Sequence, residues 1–458
     1  MGTALAVVRQ PEEDLRTMAH DTLDRWLDQM QTVGGGSPSL LELSEQVLTT
    51  RQTVLATCLE TIIRERYAAE LQQTQMQCAC GRWLARHRLD TRTVSTLHGS
   101  VTLTRPYFYC EPCGVGMHPL DAKLGLAPER HQYDIQARVT QLAADLPYGV
   151  SETQFASLTG LTASAHFMHE TLNAVGEAAT VERVVPDAEE MARRIETARA
   201  GRRRRPVLVV ACDGAHAPTR PPGGRRRKRG PGAWQEVKGV RLYLLGADDR
   251  IVHLASWHQI ADKTELSPAL AVLAARIPQD RVRLALVADG AEWIWDLFRT
   301  HFPRGEPILD YYHCAERVAE TARLQYGEGT LEAQEWAEAT LTRLYLNEVG
   351  AVTGGLLRMK PRTPAAEAAI RALSIYLAGN VERLGYAELR RRGLPRGSGG
   401  IESANKLICH VRLKRSGAWW LTANGNAMLR IRCAIYNGTF PRIFADYMAS
   451  RREPLPPS

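Results

Sequence analysis

The chain has 458 residues, of which 44% are hydrophobic, and it carries a formal net charge of +8. This length and apolar content suffice for several buried cores, and the charge favours a polyanionic partner, while the lack of any apolar run of about 18 residues excludes a membrane span. Nine cysteines and an N-terminus without the basic-then-apolar pattern of a leader predict a cytoplasmic protein whose cysteines bind metal or fill the core.

Residues 1–72 are predicted to form an N-terminal helical segment. Between residues 40 and 72, apolar side chains recur with helical spacing, and no glycine or proline interrupts them. Such a helix is either a core or dimer element or a surface that binds a partner. The pattern favours the core or dimer element.

Two tight cysteine pairs lie in the next segment, 73–120. They are Cys78 with Cys80, and Cys110 with Cys113. Two such turns present four thiolates to one tetrahedral Zn²⁺, and the alternating sequence between them predicts a hairpin, as in a zinc ribbon. The first pair has one intervening residue rather than two, so four reduced cysteines without metal are the alternative.

Residues 121–180 are predicted to form a helix-turn-helix DNA-binding domain. A periodic helix is broken at Pro147, a second helix opens with Ser151 as its N-cap, and Gly160 makes the turn before the last helix. Helical hairpins of this kind also occur without DNA. A charged linker is predicted to follow at residues 181–205.

Three acidic residues dominate the second half of the chain. Asp213 and Asp289 each close a short apolar run and precede a glycine, which predicts two buried strands that end in sharp turns. Glu402 follows a run of glycines and is predicted to lie on a helix. Two carboxylates at strand ends and a third on a helix suit a pair of Mg²⁺ ions. Such a pair activates a water or a 3′-hydroxyl and stabilises the leaving oxygen of a phosphodiester.

Either Asp-Gly pair alone is equally typical of an ordinary turn. The order of the predicted elements adds an argument for the nuclease-type site, because three strands, a helix, a strand, a helix and a strand follow one another as in an RNase H-like α/β domain. This domain, a mixed sheet flanked by helices, is predicted to comprise residues 206–313 and 393–440. A helical insertion at 314–392 interrupts it, and a C-terminal tail at 441–458 follows it.

The chain resembles the DDE transposases of the ISKra-type insertion-sequence family and, more distantly, Mutator-like transposases. The resemblance covers residues 206–436 most specifically, and the cysteine pairs and the helix-turn-helix resemble the front half of that family. The segments that carry it are Cys212-Asp213-Gly214, Glu236-Val237-Lys238, Ala288-Asp289-Gly290-Ala291, Ile308-Leu309-Asp310-Tyr311-Tyr312-His313, Gly399-Gly400-Ile401-Glu402-Ser403-Ala404-Asn405-Lys406, Arg412-Leu413-Lys414 and Gly417-Ala418-Trp419-Trp420.

The resemblance implies a DNA transposase that binds the terminal inverted repeats of an insertion sequence, cleaves the ends and joins the 3′-hydroxyl to target DNA. It implies Asp213, Asp289 and Glu402 as ligands of two Mg²⁺ ions, and the pair of Asp310 and His313 as an accessory catalytic element. A core histidine bonded to Asp310 is the alternative for His313. The implied partner is double-stranded DNA, and a homo-oligomer would hold both transposon ends in a synaptic complex.

Basic and aromatic residues near the triad are candidate DNA contacts. Helical spacing places Lys406 on the face of Glu402. The predicted contacts are Lys406, Arg412, Lys414, Arg415, Trp419 and the basic loop Arg225, Arg226, Arg227, Lys228 and Arg229. A solvated loop is the alternative for the loop residues, and a core position is the alternative for Trp419, which would otherwise stack on a distorted base.

Two other functions share this fold. A stand-alone RNase H-like nuclease would cut DNA without joining it, but the predicted DNA-reading elements of the first half argue against it. A domesticated DNA-binding protein would have kept the fold without the chemistry. The presence of all three acidic residues gives that function no support.

Overall fold

The computed structural model of the protein describes residues 12–32, 37–199, 204–222, 232–246 and 250–452. The chain divides into two compact units. The first runs to Val175 and takes up the chain again at Phe444, and the second runs from Gly176 to Ile443. In the described ranges, no helix has both the length and the apolar character that a membrane crossing requires.

The first unit combines helices with two small antiparallel sheets. In chain order its elements are α1 (Glu12–Gln31), α2 (Leu40–Arg66), α3 (Ala68–Leu71), β1 (Gln75–Gln77), β2 (Trp83–Ala85), β3 (Arg88–Thr96), β4 (Gly99–Cys110), β5 (Val115–Met117), α4 (Pro119–Leu124), α5 (Tyr133–Asp145), α6 (Tyr148–Thr159) and α7 (Ala165–Ala178). Strand β1 pairs with β2, and β4 lies between β3 and β5.

The β3–β4 hairpin is amphipathic, as its alternating sequence predicts. Val94 and Val101 are buried on one face, where Leu59 of α2 packs against them. On the other face, the hydroxyl groups of Thr93 and Thr102 are 3.0 Å apart in a cross-strand hydrogen bond. Alternation with a period of two therefore places the apolar half of the hairpin against the helix and the polar half toward solvent.

The second unit is built on a five-stranded mixed sheet flanked by helices, which confirms the predicted α/β class. Its strands are β6 (Val207–Thr219), β7 (Ala233–Leu245), β8 (Ile251–Ile260), β9 (Arg283–Ala288) and β10 (Glu306–Leu309). Their order across the sheet is β10-β9-β6-β7-β8. The strands β6, β7 and β8 pair with one another in antiparallel order, whereas β9 pairs in parallel with β6, and β10 in parallel with β9.

Helices precede, interrupt and follow this sheet. They are α8 (Val181–Val184), α9 (Ala188–Arg199), α10 (Ser267–Arg276), α11 (Glu292–His301), α12 (Tyr311–Tyr326), α13 (Leu331–Tyr345), α14 (Val349–Arg358), α15 (Pro364–Ala378), α16 (Tyr386–Arg391), α17 (Gly399–Ala404), α18 (Val411–Leu413), α19 (Thr422–Asn437) and α20 (Phe440–Arg451). A π-helical turn, Asn405–His410, joins α17 to α18. The segment between β10 and α17 is helical, as the periodicity predicts.

Two local predictions differ from the structure, one in the first unit and one at the end of the chain. Ser151 is not an N-cap, because α6 already begins at Tyr148 after Pro147, and Ser151 is buried inside that helix. Residues 441–458 are not a plain tail, because α20 reaches Arg451. The rings of Phe444 and Tyr447 explain this helix, since both are buried and pack edge-to-face on Tyr133.

The predicted linker at 181–205 is helical as far as Arg199. Its helix α9 buries Met191 and Ile195, and the guanidinium of Arg194 donates to the carbonyl oxygens of Leu254 (3.1 Å) and Asn437 (3.2 Å). Because its apolar face and its cations are used inside the second unit, this charged segment is part of the unit rather than a connection to it.

Candidate active site and cysteine cluster

Asp213 lies in the middle of strand β6, not at its end as predicted. The strand continues to Thr219 because β7 pairs with it over the same length, and Asp213 is opposite Gly239 in that register. The parallel partner β9 stops pairing at Ala211, where it faces Val287. Asp213 therefore projects from the part of β6 that β9 leaves uncovered.

The three predicted carboxylates act on one another electrostatically. Burial, and to a smaller extent the negative charges of Asp289 and Glu402, raise the pKa of Asp213 to about 6, against the opposite effects of His313 and the Gly214 N–H. Such effects fall off with distance, so the three carboxylates lie in the same region of the second unit. Crowded carboxylates are an arrangement that a bound divalent cation relieves.

Asp289 lies at the end of β9, as predicted, and two contacts hold its turn. Its Oδ1 accepts a hydrogen bond from the backbone N–H of Ala291 (3.0 Å), and its carbonyl oxygen accepts one from the hydroxyl of Tyr376 (2.9 Å). Tyr376 belongs to α15, in the helical insertion. The insertion therefore positions a residue of the candidate active site as well as covering the sheet.

Glu402 lies on α17, which approaches the sheet closely. A Cβ atom at Gly400 would lie 2.5 Å from the ring of Tyr243, so only glycine permits this approach. The buried guanidinium of Arg241 on β7 donates to the carbonyl of Gly400 and fixes the start of the helix. The π-helical turn that follows at Asn405–His410 is a rare conformation that occurs often at functional sites.

Asp310, His313 and Glu402 form a tight group of candidate ligands. Each offers one atom within 4.8 Å of the others. Asp310 is fully buried, and its Oδ1 accepts from the backbone N–H groups of Tyr312 (2.6 Å) and His313 (3.1 Å), while its Oδ2 accepts from that of Ser398. Asp310 therefore caps α12 and ties it to the loop that leads into the Glu402 helix.

His313 is not the core histidine that was the alternative. Its side chain is 33% exposed, and its Nδ1 lies 3.7 Å from Glu316, whereas its bond to Asp310 is made by the backbone. The imidazole is thus presented near Glu402. Among the described residues, the acidic group whose ligand atoms lie within 4.8 Å of one another joins Glu402 to Asp310 and His313. The predicted pair of Asp310 and His313 therefore lies beside a member of the predicted triad.

A buried chain of hydrogen bonds supports Asp213 from behind. Asn405 Nδ2 donates to Asp213 Oδ2 (2.8 Å), and Asn405 Oδ1 lies 2.9 Å from His258 Nε2. Burial lowers the pKa of His258 to about 4, so the ring is neutral at pH 7, and its Nε2–H donates to Asn405. His258 Nδ1 lies 3.9 Å from the Cys433 thiol. This chain fixes the Asn405 amide with its N–H group toward Asp213.

Gly239 makes room for this chain. A Cβ atom at that position would lie 2.6 Å from His258 Nε2 and 2.8 Å from Asn405 Oδ1. Sequence reasoning identified neither Gly239 nor His258, and it noted Asn405 only as a neighbour of Glu402 on its helix. The hydrogen bonds join β8 to the π-helical turn across 147 positions of sequence, so no local spacing could have revealed them.

A cleft of about 180 Å³ opens above Asp213 and Glu402. Besides these carboxylates, its lining includes two lysines and two histidines. The two lysines, Lys406 and Lys414, are exposed. The residues that line the cleft are Asp213, Gly214, Ala215, His216, Glu402, Asn405, Lys406, His410 and Lys414. Carboxylates in the cleft with cations at its rim suit an anionic substrate whose phosphate is bridged to the protein by a metal ion.

The other predicted DNA contacts have different settings. Arg412 is only 4% exposed, and its guanidinium lies 5.0 Å from the ring of Trp420, so it is packed in the core rather than presented to DNA. Arg415 is exposed. Trp419 is 44% exposed, so the core position is wrong for it. The basic loop at 225–229 lies outside the described residues.

The four predicted cysteines come together in the first unit. Their sulfur atoms lie within 4.8 Å of one another, with Cys78 Sγ 4.0 Å from Cys113 Sγ and Cys80 Sγ 3.7 Å from Cys110 Sγ. A tetrahedron with Zn–S bonds of about 2.3 Å has edges of about 3.8 Å, which matches these separations. All four are free thiols. The cluster could therefore hold one tetrahedral Zn²⁺.

The ionisation of these thiols also fits a metal site. The backbone N–H of Arg82, followed by the neighbouring thiols, lowers the pKa of Cys80 to about 7. Cys80 and the other two thiols raise the pKa of Cys113 to about 12. Four thiols this close cannot all lose their protons unless a cation compensates the charge, so deprotonation and metal binding are coupled.

The comparisons with known proteins identify neither of these two sites. No protein-family model matches the chain, and no curated protein matches it. Function is therefore inferred from the fold and the geometry of the sites alone.

Proposed function

We propose that the protein is a DDE-type DNA transposase that cuts transposon ends and joins the 3′-hydroxyl to target DNA. The observation that carries this proposal is that Asp213 and Glu402, from a strand and a helix far apart in sequence, line one cleft, while Asp289 follows the neighbouring strand β9. The strand sequence supports it, because three antiparallel strands followed by two parallel ones are what we expect of an RNase H-like domain.

The donor set fits Mg²⁺, which prefers oxygen ligands and takes one or two protein carboxylates together with substrate phosphates. Asp213, Asp289 and Glu402 would hold two ions, with Asp310 and His313 beside Glu402. When bound, such a pair supplies an activated water or 3′-hydroxyl and stabilises the leaving oxygen.

The chain's own groups would prepare this reaction. Asn405 holds the carboxylate of Asp213 in one orientation by its 2.8 Å hydrogen bond. Lys406 and Lys414, at the rim of the cleft, would contact the non-bridging oxygens of the phosphate, as ammonium groups do. His313, exposed beside Glu402, would accept the proton of the attacking group.

The first unit would read the DNA ends. We assign the helices α5, α6 and α7 to a helix-turn-helix, with α7 in the major groove, and the cysteine cluster to a structural Zn²⁺ in a zinc-ribbon-like fold. A homo-oligomer would hold two transposon ends together. The partners in this proposal are the double-stranded DNA of the ends and of the target.

A stand-alone nuclease is the second candidate, and one observation favours it. The imidazole of His313 lies in a group with Asp310 and Glu402, and an imidazole beside a candidate metal ligand suits the deprotonation of water. Such an enzyme would release cut DNA and would form no joined product.

Cleavage and joining assays on Asp213→Asn and Glu402→Gln test the proposal. The substrate is a labelled duplex that carries the inverted repeat flanking the gene, in Mg²⁺ and with a target plasmid. We expect both variants to lose cleavage and joining while they still bind the duplex, because each change removes a ligand charge at nearly constant volume. The control, Glu338→Gln, alters an exposed carboxylate of α13 and should remain active.

Retained cleavage by either variant contradicts the assignment of the metal ligands. Cleavage by the unaltered protein without any joined product supports the nuclease instead. Binding of the repeat without cleavage, in Mg²⁺ or Mn²⁺, supports a DNA-binding protein that has kept the fold.

A further inference from the structure

A second concave site lies in the same unit as the cleft, and it is lined by arginines. It is a cavity of about 890 Å³ at the strand ends of the sheet, where β6 begins and β7 ends. Five guanidinium groups line it, from Arg204, Arg205, Arg283, Arg390 and Arg396. None of the described lining residues is an aspartate or a glutamate. The name arginine cavity is used for this site below.

The enclosed part of the arginine cavity is formed by a guanidinium whose described hydrogen bonds go to neutral groups. Arg283, the most enclosed of the five, donates to the carbonyl oxygens of Arg205 (3.3 Å) and Arg392 (2.8 Å), which are neutral acceptors. Burial lowers the pKa of Arg283, and the charges of Arg204 and Arg392 lower it further. Like charges held together raise the free energy of the folded chain, and a bound anion would relieve this cost.

The composition of the lining indicates the class of ligand. Five of the eighteen described lining residues are arginines and none is acidic, whereas pockets for small organic molecules carry only a few polar groups of mixed kind. A guanidinium presents a planar fork of donors that matches the oxygens of a phosphate group. The five arginines come from β9, α16 and two loops, so their charges are spread over several elements rather than focused on one point.

We propose that the arginine cavity binds the phosphodiester backbone of DNA. This inference rests on the proposed function and adds a second DNA contact to it, separate from the metal site. A DNA strand carries phosphates at regular spacing, and several arginines on different elements can each contact one of them.

The arginine cavity borders the same helix as the cleft. Gly399 and Gly400, at the start of α17, line the arginine cavity, whereas Glu402 lines the cleft. Three residues of helix correspond to about 4.5 Å of rise. Tyr312, which also lines the arginine cavity, directly precedes His313. DNA with a phosphate at Glu402 would therefore continue into the arginine cavity, which would hold the strand next to the position of cleavage.

Charge reversal at the exposed rim tests this inference. The variant is Arg204→Glu with Arg396→Glu in the full chain, and the control is Arg343→Glu with Arg358→Glu, two exposed arginines of the helical insertion. Binding of a labelled duplex of random sequence is measured by fluorescence anisotropy over a salt series. We expect affinity to fall on the order of tenfold or more, and the slope of log K against log salt to become shallower by about 2, because each lost phosphate contact removes about 0.9.

The control should keep the affinity and the slope of the unaltered protein. A neutral pair, Arg204→Gln with Arg396→Gln, should give the same change of slope with a smaller loss of affinity, and circular dichroism checks that each variant is folded. Equal losses in the variant and the control would show a general charge effect and overturn the proposal.

Inorganic pyrophosphate distinguishes a free phosphate ligand from DNA. If the variants lose calorimetric binding of pyrophosphate while they bind DNA normally, the site takes small phosphates and the proposal is wrong. Because Asp213→Asn leaves the arginines unchanged, its cleavage result and the binding result of the arginine variants can fail independently.

Discussion

The two candidate metal sites of this protein are built in opposite ways. The four cysteines lie between positions 78 and 113, at the ends of short strands and in turns of the two small sheets. The acidic residues come from positions between 213 and 402, on strands and helices that meet only when the second unit is folded. A thiolate site of this local kind has little core of its own, so the metal should supply its folding energy, whereas the carboxylate site is held by a core that exists without metal.

The largest effect that we predict follows from substitutions that remove the cysteine site. Cys110→Ser with Cys113→Ser should reduce bound zinc from about one ion per chain to none, and the small sheets around β4 should unfold, because structural zinc contributes about 10 kcal/mol or more of apparent free energy. Elemental analysis and limited proteolysis measure both outcomes. Cys58→Ser is the matched control, since Cys58 lies on α2 outside the cluster. Equal zinc content in the two proteins would contradict the assignment.

A drop in pH should weaken the second unit without any mutation. Burial lowers the pKa of His253 and of His258 to about 4, below the ordinary value of 6.5. The unfolded chain therefore binds more protons between pH 6.5 and pH 4, so stability is complete above pH 6.5 and is lost as the pH falls through this window.

The loss between pH 7 and pH 5 should be about 3 kcal/mol for the two histidines together. Urea unfolding followed by tryptophan fluorescence measures it. His258→Gln should remove about half of this dependence, and His216→Gln, which changes an exposed histidine, should leave it unaltered. A pH profile that is the same in all three proteins would show that buried neutral histidines do not control it.

A smaller effect should follow from a substitution that disturbs the hydrogen bonds behind Asp213. Gly239→Ala places a methyl group within 2.6 Å of His258 Nε2 and 2.8 Å of Asn405 Oδ1, and such overpacking costs about 1–3 kcal/mol. Because Asn405 would have to move, cleavage should fall at temperatures where the variant is still folded. Gly350→Ala, with open space around the new methyl group, is the control and should keep both stability and activity. If the Gly239→Ala protein were as active as the control, the orientation of Asn405 would have no role in cleavage.

The same contrast explains what could be predicted from the sequence. The cysteine cluster was predictable because its ligands form two pairs, each with short spacing in one tight turn. The strands β6 and β9 were predictable because continuous apolar runs mark buried strands. The continuation of β6 beyond Asp213 was not, since residues 214–219 contain Gly, His and Pro and extend only because β7 pairs with them.

The groups around the acidic residues were the least predictable part. Asp310 was identified only as an accessory residue, but three backbone N–H groups fix it beside Glu402. His258 and Gly239 carry no local signal, because each acts through a residue that is distant in sequence. The arginine cavity was likewise not predicted, since its five arginines are spread from position 204 to position 396.

The smallest effect that we predict is a gain in stability, whereas the cysteine substitutions cause a loss of stability. The pKa of Asp213 is raised from 3.8 to about 6, so the ionised carboxylate destabilises the metal-free fold at pH 7. Asp213→Asn removes this charge, and its amide oxygen can still accept the hydrogen bond from Asn405, although the bond from the Gly214 N–H to the second oxygen is lost. In excess chelator, the variant should therefore be more stable than the unaltered protein, by about 2 kcal/mol. Urea unfolding at pH 7 measures this gain, and Glu338→Gln on the exposed face of α13 should show none.

In millimolar Mg²⁺ the order should reverse, because only the unaltered protein gains stability from the bound ions. A variant that is less stable than the unaltered protein in chelator would show that Asp213 holds the fold together, and the contrast between a site that needs its metal to fold and one that folds without it would fail.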